Sequence, residues 1–378
     1  MRIGFDAKRA FSNFTGLGNY SRSTLKLLTE LHPENDYFLY NPRVPDEHQI
    51  KFLDLPHNAK VHIKIPQSFF FEVFPSTWRR YGITADLVRD KIDLYHGLSH
   101  EIPVNIHNTN VKSIVTIHDL IFKVYPEYYK LADRKIYDSK FKHACETADG
   151  IIAISECTKK DIIKYYNIDS DKIKVIYQGC STIFKEQTEE KTKQEIKLKY
   201  NLPDNYLLSV GSIERRKNTK LILETLNKIN SDTSLVLVGK KTEYCNELNE
   251  YINSNQLNDR VIFLHDVKFN ELPSIYQQAR IFIYPSRYEG FGIPILEALH
   301  SRIPVIAAKD SCLEEAGGLM TKYIDPDSSD ELINAINELL TSEEINKIIE
   351  FNLEFVKKFD ANIIADELMN YYTEILNK

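Results

Sequence analysis

The segment IFIYPSRYEGFGIPILE, residues 281–297, brings two carboxylates together with two glycines. The glycines allow backbone angles that other residues avoid, and they let a ligand approach the main chain. We predict a buried strand before them and a helix that begins at Pro294, whose first N–H groups would bind an anion. Glu289 at the loop tip and Glu297 in the first helical turn would accept hydrogen bonds from hydroxyl groups. Such a combination suits a nucleotide sugar, although the helix dipole alone also favours glutamate in a first turn.

Three basic residues follow the predicted strand Tyr206–Val210 in the sequence GSIERRKN, residues 211–218. Because parallel strands end at one edge of a sheet, and ligands bind at that edge, we expect these residues to face a site. Arg216 and Lys217 could neutralise a diphosphate leaving group there. A solvated basic turn is the alternative, and it is the better interpretation of Arg215 alone.

The chain opens with a predicted strand, Arg2–Ala7, then the loop FTGLGNY and a helix predicted over Leu17–Leu31. A strand, a glycine loop and a helix form a layout that often binds phosphate. Gly16 and Gly18 make only G-x-G, and Ser21 stands where the dinucleotide fingerprint has its third glycine. A plain helix-entry turn therefore explains the loop at least as well, and a dehydrogenase is disfavoured.

Two histidines stand at the ends of the predicted strands DLYHG, residues 93–97, and SIVTIHD, residues 113–119. Both would lie at the carboxyl edge of a sheet, where open α/β sheets bind ligands. We favour a functional role for His118, because Asp119 follows it directly. We favour a hydrogen-bonded packing role for His96.

Strands and helices alternate along both halves of the chain, which predicts an α/β fold with parallel sheets. The highly charged residues 185–205 mark the predicted boundary, although they also fit a surface helix with i,i+4 ion pairs. We predict two Rossmann-like domains, 1–184 and 185–359, that face an interdomain cleft. The last helix, about 360–378, would pack back on the first domain.

Composition excludes several classes of protein. The 378 residues are 43% hydrophobic and 27% charged, as in a soluble globular protein, and the net charge of −6 gives no basic field for nucleic acid. Five scattered cysteines without a C-x-x-C pair indicate neither a zinc site nor a disulfide framework. No stretch approaches the ~18 apolar residues of a membrane span, and the N-terminus resembles a strand more than a signal peptide. We expect a cytoplasmic protein whose membrane contact, if any, is peripheral.

Two further stretches allow a functional and a structural interpretation. QSFFFEVFPSTWRRYG, residues 67–82, could form an acceptor groove or a peripheral membrane contact, but we favour an aromatic core with two solvated arginines. Asp325 and Asp327 could share a metal ion. Turn and capping chemistry before the next helix explains them without a metal, so we predict no metal site.

Taken together, these segments resemble the family-4 retaining glycosyltransferases of the GT-B fold. EGFGIPILE matches the E-x(7)-E signature of that family, with Glu289 and Glu297 in its two positions. FTGLGNY, TIHDL, AISE, GSIERRKN and YPSRYEGFG extend the resemblance over nearly the whole chain. The chain looks most like bacterial mannosyltransferase-like enzymes of surface-polysaccharide assembly, in which stretches like YHGLSHEIP and VTIHDLIF recur.

The resemblance implies a role for each matching residue. The first domain would serve the acceptor and the second would bind the nucleotide sugar. Gly16, with Gly18 beside it, would lie against the donor diphosphate, and His118 would lie near the donor sugar on the acceptor side. Arg216 and Lys217 would hold the diphosphate. The other donor contacts would come from Glu289, Gly290, Phe291 and Gly292 for the sugar and from Glu297 for the ribose.

Two departures from the family pattern stand out. Ser212 occupies a position where some members have an arginine, so the phosphate charge would fall on Arg216 and Lys217. The sequence His300-Ser301-Arg302 replaces the small residues that are common after the E-x(7)-E helix, and we have no functional account of that change.

The resemblance implies a hexosyltransferase that uses a nucleotide diphosphate sugar, with mannose from GDP-mannose as the favoured donor, and a glycan or lipid-linked acceptor. His118, Arg216, Lys217 and Glu289 would take part in catalysis, and no metal ion or other cofactor is expected. Two alternatives stay open. A nucleotide-sugar epimerase of the same fold would convert the donor without an acceptor, and a catalytically silent subunit would bind nucleotide sugar in support of a partner enzyme.

Overall fold

A computed structural model of the chain describes residues 1–229 and 232–378. Its contacts divide the chain into a first unit, Met1–Gln178 with Asp360–Lys378, and a second unit, Gly179–Phe359. The last helix of the chain therefore belongs to the unit that contains the first strand.

The change from the first unit to the second comes earlier than residue 185, where the charge pattern predicted it. Phe184 is fully buried in the second unit, where its ring packs against Phe269 and Tyr276. This aromatic contact brings the segment before the charged helix Glu190–Tyr200 into the second unit.

Parallel strands form the sheet of the first unit. Its strands are β1 (Arg2–Asp6), β2 (Asp36–Tyr40), β3 (Val61–Lys64), β4 (Leu94–Gly97), β5 (Lys112–Ile117), β6 (Gly150–Ala153) and β7 (Ile173–Val175). They lie in the order β3-β2-β1-β4-β5-β6-β7, and each described pairing is parallel. The order reverses between β1 and β4, so a crevice opens at the carboxyl ends of these strands.

Helices connect these strands, as a parallel sheet requires. The α-helices of the first unit are Lys8–Ser12, Gly16–Leu31, Glu47–Phe52, Phe69–Val73, Pro75–Thr77, Ile83–Arg89, Ile121–Val124, Leu131–Thr147, Glu156–Tyr166 and Ala361–Leu376. A π-helical turn, Trp78–Gly82, joins two of them. The strands β4 and β6 are buried along their whole length, as expected for strands covered on both faces.

The second unit repeats the same plan. Its strands are β8 (Tyr206–Val210), β9 (Ser234–Val238), β10 (Val261–Leu264), β11 (Ile281–Tyr284), β12 (Val305–Ala308) and β13 (Lys322–Ile324). They lie in the order β10-β9-β8-β11-β12-β13, again with parallel pairings among the described residues. Here the order reverses between β8 and β11, which places a second crevice at the carboxyl ends of those two strands.

Helices also connect the strands of the second sheet, and most of them are 8 to 13 residues long. Its α-helices are Glu190–Tyr200, Thr219–Leu226, Tyr244–Ser254, Leu272–Gln278, Ile293–His300, Leu313–Gly317, Ser329–Thr341 and Ile345–Phe355. The predicted α/β architecture with two parallel sheets is therefore confirmed in each unit.

Candidate functional site

A buried carboxylate in the second unit contacts two cations. Oε1 of Glu289 lies 2.5 Å from Nζ of Lys217 and 2.7 Å from Nη1 of Arg216. All three side chains are at most about one-sixth exposed, at 12%, 15% and 15%. The structure thus brings together three of the residues that the sequence predicted for the donor site.

The loops after β8 and β11 carry this cluster, so it lies at the point where the strand order of the second sheet reverses. Main-chain and side-chain bonds join the two loops. The N–H of Arg287 donates to the carbonyl of Arg216 at 2.9 Å, and Nη1 of Arg216 donates to the carbonyl of Tyr288 at 2.5 Å. Nζ of Lys217 donates to the hydroxyl of Tyr284, at the end of β11, at 2.5 Å. Arg216 and Lys217 therefore lie at the carboxyl edge of the sheet, as predicted.

Two positions, one in the basic loop and one beside it, require glycine. Gly211 has a φ of +146°, a backbone conformation that L side chains rarely adopt. The neighbouring Gly239 is equally constrained, because a Cβ there would lie 1.8 Å from the carbonyl oxygen of Gly211. The chain can therefore turn sharply after β8 and direct Lys217 back toward β11.

The cluster is strongly coupled electrostatically. Burial acts to raise the pKa of Glu289, but the charges of Lys217 and Arg216 outweigh it and hold that pKa at about 2. Burial lowers the pKa of Lys217, and Glu289 only partly restores it. Burial opposes the charge of Arg216 too, yet Glu289 raises its pKa overall. The carboxylate is therefore ionised at neutral pH, with two cations against its one charge.

A further acidic group lies at the edge of the cluster. Oε2 of the half-exposed Glu214 is 3.5 Å from Nη2 of Arg216. Because Glu214 faces solvent, its interaction is screened more than that of Glu289. The buried part of the cluster keeps an excess of positive charge, which suits an anionic ligand.

Glu297 lies deeper in its helix than predicted. The helix begins at Ile293, one residue before Pro294, because Gly292 takes the capping position with a φ of +123°. Glu297 is then in the second turn, so the helix dipole does not explain its presence. Burial raises its pKa to about 7, although the hydroxyl of Tyr276 donates a hydrogen bond to Oε2 at 2.8 Å and lowers it in part.

Interior packing holds the loop between the two glutamates in place. The ring of Phe291 is buried and packs against Phe359, with ring centroids 5.4 Å apart. The thiol of Cys312 donates to the carbonyl of Glu289 at 3.1 Å, and a Cβ on Gly292 would lie 3.0 Å from the side chain of Leu313. A ligand at this loop would therefore meet the main chain of residues 290–292 rather than the ring of Phe291.

In the first unit, the two predicted glycines differ in their surroundings. Gly16 is the exposed first residue of helix Gly16–Leu31, and a Cβ there would meet no atom within 4 Å. Gly18 is buried, and a Cβ there would lie 1.8 Å from the carbonyl oxygen of Asn13. Gly18 is thus required for packing of the loop against the helix, whereas Gly16 leaves open space at the helix N-terminus.

His118 and His96 are both buried, as expected for residues at strand ends. Nε2 of His118 lies 2.9 Å from the carbonyl oxygen of Leu98, and burial lowers its pKa to about 4. His96 bonds through both ring nitrogens, at 2.6 Å to the hydroxyl of Tyr372 and at 2.7 Å to Oγ1 of Thr116. Both bonds agree with the hydrogen-bonded packing role predicted for His96.

Two family models divide this chain between them. The model described as Glycosyltransferase Family 4 matches residues 16–183, and the model described as Glycosyl transferases group 1 matches residues 190–353. The two matches follow the two units of the structure. The chain belongs to the family-4 glycosyltransferases. Members of that family have the GT-B fold. The predicted fold class, a GT-B protein with two Rossmann-like units, is therefore confirmed.

Curated relatives support the same assignment. This glycosyltransferase is 28% identical to the O-antigen chain mannosyltransferase RfbU of Salmonella typhimurium over 275 residues, which cover 73% of this chain and 72% of the relative. It is 26% identical to the O-antigen chain mannosyltransferase B of Escherichia coli over 98% of this chain and 99% of the relative. Among solved structures, Anabaena Alr3699/HepE in complex with UDP and glucose superimposes with a TM-score of 0.74 at 19% identity, covering 99% of this chain and 100% of that one.

Other predicted features of the glycosyltransferase need correction. The aromatic segment is core only in part. Trp78 is fully buried and Phe71 packs against the core, but the side chains of Phe69, Phe70 and Phe74 are 79%, 55% and 51% exposed. Consecutive residues of a helix point about 100° apart, so Phe69, Phe70 and Phe71 cannot all face the core from helix Phe69–Val73.

One of the two arginines after the aromatic segment is not solvated. Arg79 is largely buried and pairs with Asp6 at 2.5 Å and with Glu101 at 2.8 Å. Burial opposes the charge of Arg79, but Asp6 and Glu101 raise its pKa overall. Arg80 is exposed, as predicted.

The D-x-D pair has the structural role that we favoured. Oδ1 of Asp325 accepts from the N–H of Asp327 at 2.9 Å, and the hydroxyl of Ser328 caps the next helix by accepting from the N–H of Glu331. Asp327 also pairs with Arg287 at 2.6 Å. Within residues 1–229 and 232–378, no three His, Cys, Asp or Glu side chains gather closely enough to hold a metal ion.

Several side chains that touch the site were not predicted. Ser286 donates to Oε1 of Glu289 at 2.5 Å, Tyr284 accepts from Lys217, and Tyr276 donates to Glu297. Ser286 stands three residues before Glu289 in the YPSRYEG segment, which was the available signal. Tyr276 lies in a different helix, and nothing in the local sequence marked it as a partner of Glu297.

The helices were also compared with the requirements for a membrane span. In the part that the structure describes, none of the helices has the length and apolar character that crossing a membrane requires.

Proposed function

We propose that this glycosyltransferase transfers a hexose from a nucleotide diphosphate sugar to a glycan or lipid-linked acceptor in surface-polysaccharide assembly. Mannose from GDP-mannose is our specific hypothesis, with retention of the anomeric configuration. The two curated relatives, both named O-antigen chain mannosyltransferases, support mannose as the sugar.

Contact of Glu289 with Lys217 and Arg216 is the observation that carries this proposal. Two cations with restricted access to water are suited to the two phosphates of a nucleotide sugar. The carboxylate beside them is ionised, so it can accept hydrogen bonds from the hydroxyl groups of the attached sugar. The diphosphate and the sugar of one donor would thus meet adjacent groups of opposite charge.

Charge stabilisation is the main catalytic contribution that we assign to this cluster. In the transfer step, the bond between the anomeric carbon and the β-phosphate oxygen breaks, and its electron pair stays on the diphosphate. Lys217 and Arg216 would stabilise that developing charge, more strongly than exposed cations could, because they are shielded from water. Since the chain itself supplies these cations, the proposal includes no metal ion or other cofactor.

A retained configuration requires that the new bond form on the face from which the diphosphate leaves. The acceptor hydroxyl oxygen would bond to the anomeric carbon while its proton passes to the departing phosphate. Glu289 pairs with two cations and has a pKa of about 2, so it is a poor proton acceptor at neutral pH and serves better as a hydrogen-bond acceptor for hydroxyls. This front-face mechanism comes from the family resemblance.

The remaining assignments follow the family pattern. Glu297 would bind the ribose hydroxyls, and the main chain of residues 290–292 would help to hold the sugar. In the first unit, Gly16 would approach the diphosphate through the start of its helix, and His118 would approach the sugar. Gly18 would support Gly16 by packing, since a side chain there would collide with Asn13.

An exposed apolar surface in the first unit suits an acceptor that carries a lipid. This surface, which we call the phenylalanine patch, consists of Phe69, Phe70, Val73 and Phe74, each more than half exposed. Phe70 and Phe74 contact each other with ring centroids 5.1 Å apart, and Phe69 and Val73 lie in the same short helix as Phe70. We propose that this face rests on the cytoplasmic surface of the membrane, where a lipid-linked acceptor would be presented.

A transfer assay with several donors tests the proposal. The purified protein is incubated with GDP-mannose, UDP-glucose, UDP-galactose and dTDP-rhamnose, each with a bacterial lipid extract as acceptor and each with and without EDTA. The expected result is transfer from GDP-mannose to a lipid product whose NMR spectrum shows the anomeric configuration of the donor. Inversion, or a requirement for added metal, would contradict the mechanism. Conversion of the donor sugar without any acceptor would contradict transfer altogether.

A further inference from the structure

A row of buried hydroxyl and imidazole groups leads from the last helix of the chain to His118. The hydroxyl of Tyr372 bonds Nδ1 of His96 at 2.6 Å, and Nε2 of His96 bonds Oγ1 of Thr116 at 2.7 Å. Oγ1 of Thr116 bonds the hydroxyl of Tyr20 at 3.0 Å. The ring of Tyr20 then meets the ring of His118 edge to face, with centroids 4.6 Å apart and an interplanar angle of 88°.

Several elements of the first unit meet through this row. Tyr372 is fully buried in helix Ala361–Leu376, and His96 lies in β4. Thr116 lies in β5, and His118 follows directly after the end of that strand. Tyr20 lies in helix Gly16–Leu31, one turn after Gly16. The row therefore reaches both residues of the first unit that are proposed to approach the donor.

The ring of His118 is held on three sides. Tyr20 contacts one side, and the ring of His100 contacts another at 5.0 Å. Nε2 lies 2.9 Å from the carbonyl oxygen of Leu98. A carbonyl can only accept a hydrogen bond, so Nε2 must carry the proton. In the neutral ring Nδ1 is then an acceptor, and burial keeps the ring neutral by lowering its pKa to about 4.

Nδ1 of His118 is available to accept a hydrogen bond from a ligand. Among the described residues no group forms a hydrogen bond with Nδ1, and His118 as a whole is only 5% exposed. An acceptor nitrogen in that position can receive a hydrogen bond from a sugar hydroxyl, and it would repel a phosphate or a carboxylate. The chemistry of the ring thus depends on which nitrogen carries the proton.

We propose that Tyr20 is a positioning residue for His118, and that Tyr372 positions Tyr20 through His96 and Thr116. The row fixes the ring orientation in which Nε2 donates to Leu98 and Nδ1 accepts from a hydroxyl of the bound sugar. The last helix of the chain thereby becomes part of the site, although none of its residues touches substrate. This inference rests on the proposed function only for the sugar hydroxyl, and not for the arrangement of the ring.

Two adjacent tyrosines make a matched test. Tyr372→Phe removes one hydroxyl from the row, whereas Tyr371→Phe removes a hydroxyl from the same helix that bonds the main chain of Ile151 and Lys172 instead. Both variants lose a buried hydroxyl in the first unit, so both should lose thermal stability. Only Tyr372→Phe should change His118. Tyr20→Phe, which keeps the ring but loses the link to Thr116, serves as a second variant of the row.

Long-range NMR of protein labelled with ¹⁵N histidine reads the proton position of His118 directly, and a His118→Gln variant assigns its signals. We expect one Nε2-protonated ring in the wild type and in Tyr371→Phe, and a broadened or mixed signal in Tyr372→Phe and Tyr20→Phe. In transfer assays, both variants of the row should lose kcat by roughly tenfold, because a misplaced group slows the reaction. Their affinity for the nucleoside diphosphate should change much less than kcat, because the cluster of Lys217 is untouched.

The outcomes separate this inference from the proposed function. If Tyr372→Phe matches Tyr371→Phe in both the NMR signal and kcat, the row is only structural and the inference is wrong. If His118 in the wild type carries its proton on Nδ1, the inference is wrong as well. If the NMR result is as expected but no sugar nucleotide is used, the proposed function fails while the arrangement of His118 stands.

Discussion

Nζ of Lys217 lies 2.5 Å from Oε1 of Glu289, so the cation proposed for the diphosphate and the carboxylate proposed for the sugar neutralise each other. A diphosphate would have to compete with Glu289 for Lys217. It would succeed because it brings more negative charge, and because the sugar hydroxyls on the same donor give Glu289 new partners. Binding of the two halves of the donor should therefore be coupled.

Lys217→Ala should lower turnover by roughly 10²-fold or more, because one of the two buried cations that face the leaving group is lost. The affinity for the donor should fall less than kcat, since the charge that Lys217 stabilises grows as the bond breaks. Steady-state kinetics with the donor at several concentrations separates the two effects.

The matched control for this change is Arg215→Ala. Arg215 is the neighbouring basic residue, but its side chain is 64% exposed and pairs with Glu247 away from the cluster. Its removal should leave turnover within about twofold, as for most exposed ion pairs. Equal losses in the two variants would mean that the general positive charge of the loop matters and that Lys217 has no special part.

Glu289→Gln should separate binding of the diphosphate from binding of the sugar. The amide no longer neutralises Lys217 and Arg216, so the affinity for a free nucleoside diphosphate should rise by roughly threefold to tenfold. Sugar transfer should nevertheless fall by roughly 10²-fold, because the charged acceptor for the sugar hydroxyls is gone. Calorimetric titration with the diphosphate, next to a transfer assay, measures both. A lower affinity for the diphosphate would contradict the competition described above.

Glu297 should make nucleotide binding depend on pH near neutrality. Burial raises its pKa to about 7, so the carboxyl is largely protonated below that pH and ionised above it. Ribose hydroxyls donate more strongly to the ionised form. Affinity should therefore rise with pH up to about 7, by at most about tenfold per pH unit, and then level off.

The phosphates of the ligand also titrate, so the informative quantity is the ratio of affinities between the wild type and Glu297→Gln. That ratio should rise from about pH 5.5 to about pH 7.5 and stay constant above. A flat ratio would show that the carboxyl is ionised throughout or that it does not touch the ribose.

The same pKa gives a stability prediction with a defined sign. In the folded chain the carboxyl of Glu297 binds its proton more tightly than it does in the unfolded chain, where its pKa is near the ordinary 4.5. The free energy of unfolding should therefore fall as pH rises from about 4.5 to about 7. Glu297→Gln should remove this part of the pH dependence in denaturant titrations without any ligand.

Removal of one ring from the phenylalanine patch should weaken membrane binding. Phe69 is 79% exposed, so Phe69→Ser should leave the fold intact while it lowers binding to vesicles of anionic phospholipid by about tenfold. Phe351→Ser, at a 43% exposed site in the second unit, is the control of the same chemistry. Cosedimentation with vesicles measures both. Equal binding by the wild type and both variants would remove the membrane role from the patch.

The sequence predicted the positions of the candidate residues correctly where they lie in loops directly after a strand. The loops after β8 and β11 carry Lys217 and Glu289, and parallel strands necessarily bring such loops to one edge. The signature of the family then named the residues on those loops. The reversal of strand order at the cluster was not predicted, because alternation of strands and helices does not determine which strands are neighbours.

Contacts between distant segments were not predictable in the same way. Nothing near Arg79 shows that Asp6 and Glu101 will surround it, and nothing near Glu297 indicates Tyr276 as a partner. The last helix was predicted to pack on the first domain, but nothing in the sequence indicated that Tyr372 would bond His96 there. Phe69, Phe70 and Phe74 were wrongly predicted as core because aromatic clusters usually are buried, whereas Phe71 and Trp78 of the same segment do pack in the core.

A thermal-shift screen with GDP, UDP, ADP, dTDP and NAD, each with and without EDTA, tests the central claim most directly. The claim is that Arg216, Lys217 and Glu289 form a binding site for the diphosphate of a nucleotide sugar. A ligand at 100 times its dissociation constant should add about 2.7 kcal/mol of stability. We predict such a shift for one nucleoside diphosphate, GDP by our hypothesis, insensitive to EDTA, preserved in Arg215→Ala and clearly reduced in Lys217→Ala. A shift with NAD alone, or a diphosphate shift of unchanged size in Lys217→Ala, would contradict the claim.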